Sequence, residues 1–234
     1  MIWWEVLLLF IAPLWGCIAA IILRKHATAN YKLVLSFSGA FLFTIVILHL
    51  LPETFSAYPK AGLFILAGFF IQILLEQLTH GIEHGHFHEH KENTSYILAL
   101  LVGLSVHSLM DGLPLSDRNL IESTHHSILY GISIHKIPEG FALASILMFS
   151  GYSNVRIFVL GILFSLVAPL AMFFGGFLND YNPIWLHALI AVAIGSFLHV
   201  STTILFESEE KRHGLGWKKI LAIAAGGGIA LLFG

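Results

Sequence analysis

Two short stretches of this sequence each place a histidine four residues before a carboxylate and a glycine directly after it. They are His107, Asp111 and Gly112 in the first stretch, and His135, Glu139 and Gly140 in the second. Residues four apart share one face of a helix, so each stretch would present an imidazole beside a carboxylate. Both stretches lie near the middle of long apolar segments, where ionisable groups are costly and usually functional. Two such pairs on consecutive helices predict one metal site.

The types of these side chains indicate which metals the site would bind. Imidazole and carboxylate favour borderline divalent metals such as zinc, iron or manganese over calcium and magnesium, which prefer all-oxygen cages. Cys17 is the sole cysteine, so the sequence offers neither a thiolate cluster nor a disulfide framework. Four ligands, His107, Asp111, His135 and Glu139, would suit tetrahedral zinc. Ligand type alone does not choose among the first-row metals.

Lys136 follows the second histidine, where a cation would repel a divalent metal. Its side chain points about 100° around the helix from that of His135. Two roles are open. Lys136 either takes the place of a second metal and pairs with the carboxylates when the site is empty, or forms a structural salt bridge to Asp111 or another neighbour.

The elements that must position these residues are membrane helices. The chain is 57% hydrophobic and 11% charged, with a mean hydropathy of +0.83, whereas soluble domains carry about 25% charged residues. A span needs about 20 apolar residues. Eight spans can be placed, at 3–23, 31–51, 61–80, 95–116, 125–149, 155–178, 184–206 and 217–233. We expect an all-α integral membrane protein that forms one transmembrane domain over residues 1–234.

The basic residues predict how this domain is oriented. Most of the twelve lysines and arginines fall in or beside the loops after odd-numbered spans. Lys and Arg accumulate in short cytoplasmic loops, so these loops should face the cytoplasm. An even number of spans then places both termini on the non-cytoplasmic side, and the expected location is the cell membrane, plasma or inner.

Polar residues in other spans each have two readings. His49 and Glu53 are four residues apart, at the place where Pro52 should end or bend span two. The pair is either a polar helix end, or part of a gate or of a third ligand helix. Glu76, late in span three, either reaches towards the interface or lines a pathway. His199 stands isolated in span seven, so we interpret it as a packed histidine, with a pathway role as the alternative.

The loop at 80–94, between spans three and four, holds five of the fourteen histidines. They are His80, His84, His86, His88 and His90. Short histidine-rich tracts bind metal weakly and adaptably, because neutral imidazole suits zinc, copper, nickel and iron. We predict a cytoplasmic metal-buffering or metal-sensing loop, and a flexible polar linker is the alternative.

These features together resemble the ZIP family of divalent metal transporters. The resemblance rests on the histidine-rich loop, the ending His-Leu-Leu-Pro of span two and the two motifs in spans four and five. It implies a 3+2+3 bundle in which spans one to three and six to eight are inverted repeats around spans four and five. It also implies import of a divalent metal towards the cytoplasm, most simply zinc, with iron, manganese and cadmium as alternatives. The implied first metal site comprises His49, His107, Asp111, His135 and Glu139.

The sequence departs from those family members that bind two metal ions together. Ser108 stands where asparagine is frequent, Lys136 stands where a polar or acidic residue is frequent, and span six carries no acid. We therefore predict a single metal ion, with Ser108 and Lys136 beside its ligands.

Other function classes make different demands. One alternative to transport is an intramembrane zinc-dependent hydrolase, which would need an acid or base beyond the metal ligands, and Glu76 is the spare candidate. A second alternative is a metal sensor in which the histidine-rich loop is the functional part. We expect a transporter rather than an enzyme, with no catalytic cofactor. The expected partners are the metal ion, the lipid bilayer and a second copy of the chain as a homodimer, without nucleic acid.

Overall fold

The computed structural model describes residues 3–23, 28–79, 94–117, 125–206 and 216–232. Regular structure in these residues is helical throughout. The α-helices are α1 (Trp3–Leu23), α2 (Thr28–Ile45), α3 (Leu51–Ala57), α4 (Ala61–Thr79), α5 (Thr94–Gly112), α6 (His125–Phe149), α7 (Asn154–Ser165), α8 (Val167–Tyr181), α9 (Pro183–Phe206) and α10 (Trp217–Leu232). A π-helical turn, Val46–Leu50, joins α2 to α3, and a 3-10 turn, Leu113–Ser116, extends α5.

Seven helical segments of the described chain are long and apolar enough to cross a membrane. They are Trp3–Leu23, Tyr31–Ala57, Ala61–Thr79, Ser95–Ser116, His125–Phe149, Asn154–Tyr181 and Pro183–Phe206. The prediction of an all-helical membrane protein is thus confirmed. The predicted eighth span, 217–233, corresponds to α10, which has 16 residues and is shorter than these seven. The histidine-rich loop lies outside the described residues, apart from Thr94 at the start of α5.

The second span differs from its prediction because it continues beyond Pro52 to Ala57. A proline ring clashes with the carbonyl four residues earlier in a regular α-helix and offers no N–H. Here the π turn changes the hydrogen-bond register just before the proline, and the Leu51 N–H donates to the Val46 carbonyl, five residues back. The helix therefore passes the proline without ending.

Small residues bring α1 and α6 into close contact, as is usual for helices in membranes. A Cβ atom added at Gly16 of α1 would overlap with the Ile137 carbonyl of α6, and one added at Gly140 of α6 would overlap with the Pro13 carbonyl of α1. The contact is therefore reciprocal, and it lies directly beside Glu139.

The helices α4 and α9 meet in the same reciprocal way. Gly68 of α4 lies against the Val192 carbonyl, and Gly195 of α9 lies against the Ile65 carbonyl. Two further glycines make one-sided contacts of this kind. Gly112 of α5 lies against Ala168 of α8, and Gly226 of α10 lies against Phe37 of α2.

The buried apolar side chains form two large clusters that separate along α6. One cluster includes Ile128 and Ile132 near the start of α6, and the other begins at Phe141 further along it. His135 and Glu139 lie between the two clusters and are buried. The fold thus encloses the second motif in an apolar shell on both sides.

We predict that Gly195→Ala destabilises the bundle, because the added methyl group would force α4 and α9 apart. Overpacking of this kind costs about 1–3 kcal/mol, and it should lower the thermal unfolding temperature of the detergent-purified chain. Gly176→Ala is the matched control, because no atom lies within 4 Å of a Cβ built at that position. Equal unfolding temperatures for the two variants would contradict the close contact.

Candidate metal centre

Three side chains from the two motifs meet in the middle of the bundle. The donor atoms of His107 on α5 and of His135 and Glu139 on α6 all lie within 4.8 Å of one another. Glu139 Oε1 stands between the imidazoles, 2.8 Å from His107 Nε2 and 3.4 Å from His135 Nε2. All three side chains are buried. The structure therefore brings together both histidines and one of the two carboxylates.

The continuity of α6 explains how His135 and Glu139 keep their one-turn spacing. Pro138 lies between them, yet α6 runs unbroken from His125 to Phe149. The residue after Glu139 is Gly140, which has no side chain and packs directly against α1. The neighbouring helix can therefore approach closely and help to exclude other side chains from this part of α6.

Lys136 supplies the positive charge in this buried cluster. Its Nζ forms ion pairs with Asp111 Oδ2 and, at 2.5 Å, with Glu139 Oε2. The ammonium group also lies 5.4 Å from the centre of the Phe164 ring. Lys136 is completely buried. Its ammonium group neutralises two carboxylates that come from different helices. Both predicted roles of Lys136 require this pairing.

Asp111 lies at the edge of the cluster of three donors. Its Oδ1 is 3.7 Å from His107 Nε2, and its Oδ2 contacts Lys136. Ser108, one residue after His107, is buried as well. Asp111 is therefore close enough to share the site, but in this arrangement its charge is directed to the lysine.

The donor set is suited to a divalent transition metal. Two imidazoles and a carboxylate match the nitrogen and oxygen ligands of zinc, and three protein ligands leave one position open. Neither ring nitrogen of His135 has a well-aligned hydrogen-bond partner in the described part of the chain, and Nε2 has only the 3.4 Å contact with Glu139 Oε1. Buried polar atoms usually have partners. These poorly satisfied nitrogens indicate that the cluster has room for a ligand.

The polar residues of span two lie elsewhere. His49 sits in the π turn and is half-buried, and it is not part of the donor cluster. Glu53, one turn further on, lines an open cavity of about 600 Å³ together with Asp117 and His187. Asp117 Oδ2 and His187 Nε2 are 3.0 Å apart. The cavity is thus lined with the same types of donor as the buried cluster.

His199 is not isolated, although its span offers no nearby acid. Its Nε2 lies 2.5 Å from Glu76 Oε2 of α4, and its ring meets the edge of Phe69. The partner sits 123 residues earlier in the chain. Only the packing of α4 on α9 reveals this pair.

The predicted loop ligands His80, His84, His86, His88 and His90 lie outside the described residues.

One buried polar contact of His107 was not predicted from the sequence. Ser196 of α9 is completely buried, with its Oγ 3.4 Å from His107 Nδ1 and 2.7 Å from Gln72 Oε1 of α4. A single serine in an apolar span does not by itself predict a contact with another helix, because serine often forms a hydrogen bond with the backbone of its own helix.

Comparison with known proteins points to a single family. A family model described as ZIP zinc transporter matches residues 83–234. Zinc transporter ZIP9 of Micropogonias undulatus is 32% identical over 155 residues, which are 60% of this chain and 49% of that protein. The chain thus spans about half the length of this relative. The family match includes both histidine and carboxylate motifs, whereas His49 precedes it.

We predict that Lys136→Met lowers the thermal stability of the metal-free protein, because Asp111 and Glu139 lose their shared counter-charge. Breaking a buried ion pair costs about 3–5 kcal/mol. Zn²⁺ should restore the stability by neutralising the same carboxylates, so the variant should gain more from Zn²⁺ than the native chain does. The measurement is thermal unfolding in EDTA and in excess Zn²⁺.

Lys218→Met is the control for this comparison, because Lys218 is exposed at the start of α10. It should unfold like the native chain under both conditions. A Lys136→Met protein that is as stable as native in EDTA, or that gains no more from Zn²⁺, would show that the lysine does not neutralise the site.

Proposed function

Because the chain belongs to the ZIP zinc transporter family, we propose that it moves a divalent transition metal, zinc foremost, across the membrane towards the cytoplasm. The observation that carries this proposal is the buried cluster of His107, His135 and Glu139. Ionisable side chains at such depth mark substrate and ion pathways. The name of its relative, a zinc transporter, agrees with the donor types of the cluster.

The arrangement we propose is the 3+2+3 bundle, with α10 as the eighth span. Its support is the pattern of helix contacts. The packing of α1 on α6 has its counterpart in α8 on α5, and the packing of α4 on α9 has its counterpart in α10 on α2. If spans one, two and three are exchanged with spans six, seven and eight, and span four with span five, the α1–α6 contact becomes the α8–α5 contact. The same exchange turns the α4–α9 contact into the α10–α2 contact. Inverted repeats produce this correspondence. The distribution of basic residues then favours both termini on the non-cytoplasmic side.

The proposed route begins at the open cavity lined by Glu53, Asp117 and His187. Carboxylates there attract the hydrated cation, because opposite charges attract strongly next to a low-dielectric wall. At the buried cluster, His107, His135 and Glu139 replace its water. The metal requires the free lone pair of each imidazole, so binding releases any proton held there. The route continues past Glu76 and His199 towards the cytoplasm.

Asp111 and His49 are additional metal ligands in this proposal, and each binds only under a further condition. Asp111 becomes available to the metal when the metal displaces Lys136 from it, since the two oxygens of Asp111 face His107 and Lys136 respectively. His49 joins the site only if the π turn moves towards α5. π turns inside helices occur frequently at functional sites, which favours such a role.

We expect saturable Zn²⁺ uptake by proteoliposomes that contain the native chain and a zinc-sensitive dye, and its loss in His135→Ala. Removing a neighbour of a metal ligand already costs about 10–100-fold in affinity or activity, so removing a ligand should cost at least as much. His126→Ala is the control on the same helix, because His126 stacks on Trp4 and Tyr130, away from the cluster. Metal binding without flux, in folded native protein, would contradict transport.

We also predict that the bundle binds one metal ion per chain, because the buried ammonium group of Lys136 lies beside the same carboxylates and would repel a second cation. The measurement is the metal content of the full-length chain after gel filtration, with the five loop histidines His80, His84, His86, His88 and His90 replaced by alanine. A content near two ions per chain would contradict a single site.

A further inference from the structure

The contact between Ser196, Gln72 and His107 determines which nitrogen of His107 is available. A serine hydroxyl has one proton to donate. The Ser196 hydroxyl donates it to Gln72 Oε1, 2.7 Å away, because a carbonyl oxygen can only accept. Towards His107 Nδ1, at 3.4 Å, the same oxygen can therefore only accept. A hydrogen bond between these two atoms therefore needs its proton on the imidazole Nδ1.

The consequence for the metal concerns the opposite nitrogen of the ring. His107 Nε2 faces Glu139 Oε1 at 2.8 Å and Asp111 Oδ1 at 3.7 Å. A histidine that donates one ring N–H to a neighbour presents the other nitrogen as the metal ligand, in a fixed ring orientation. With Nδ1 held by Ser196, Nε2 is the nitrogen that points into the donor cluster.

The backbone explains why Ser196 can reach both partners. Ser196 directly follows Gly195, and Gln72 lies one turn after Gly68. These two glycines make the reciprocal contacts that bring α4 and α9 together. The short distance between the helices lets a side chain as small as serine span from α9 to α4 while touching α5.

We propose that Ser196 and Gln72 are positioning residues for His107, and that they hold its ring so that Nε2 faces the transported metal. The inference rests on the proposed function, since it assigns a role relative to that metal. Ser196 acts on the ring directly, whereas Gln72 acts by keeping the serine proton directed away from Nδ1. Without Gln72, the hydroxyl is free to donate to Nδ1, which would favour the proton on Nε2, where the metal should bind.

The test is the Zn²⁺ affinity of the full-length chain with the loop histidines replaced as above. Ser196→Ala should weaken binding about 10–100-fold, as expected for loss of a group that orients a metal ligand. Gln72→Leu should act in the same direction. In the Zn²⁺-loaded native chain, the ¹⁵N signals of His107, identified by their loss in His107→Asn, should show a protonated Nδ1 and a metal-bound Nε2.

Ser201→Ala is the matched control, because Ser201 is equally buried on α9 but its Oγ donates to the Phe197 carbonyl of its own helix. It should leave Zn²⁺ affinity unchanged. The inference is overturned if Ser196→Ala binds Zn²⁺ as Ser201→Ala does, or if the ¹⁵N signals show that Zn²⁺ is bound to Nδ1 of His107. If instead His107→Asn leaves the Zn²⁺ affinity of the chain with replaced loop histidines unchanged, the proposed metal site and this inference are both wrong.

Discussion

Two carboxylates in the interior of an apolar bundle need a positive charge close to both, and the centre of this protein is built around that requirement. Asp111 and Glu139 come from different helices, and the ammonium group of Lys136 bridges them. An unpaired charge at this depth would be strongly destabilising. A divalent metal bound by His107, His135 and Glu139 would supply positive charge to the same two carboxylates. In the proposed site, a bound metal and Lys136 would therefore share one pair of counter-charges.

The spacing of the helices is the second condition on which the site depends, and glycines set it. In each motif the residue after the acid is a glycine in contact with a neighbouring helix, Gly112 with α8 and Gly140 with α1. The motif therefore combines two ligands with a packing position. α1 and α8 thus contact the backbone directly beside a carboxylate.

Much of this arrangement could be predicted from local sequence because its causes are local. The length and hydropathy of a run predict a span, and a spacing of four predicts that His135 and Glu139 share a face. The pairs Ser196 with Gln72 and His199 with Glu76 join residues 124 and 123 positions apart, so no local pattern contains them. The continuation of span two through Pro52 was missed because a π turn depends on packing rather than on a recognisable residue.

The most direct test of the central claim is a crystal structure of the full-length chain grown with Zn²⁺, with anomalous diffraction measured on both sides of the zinc absorption edge. Zn²⁺ at the proposed site should give one anomalous peak inside the bundle, at about 2.0–2.2 Å from ring nitrogens of His107 and His135 and from a carboxylate oxygen of Glu139. Well-defined side chains at these positions without a zinc peak between them, and a peak elsewhere in the bundle, would contradict it.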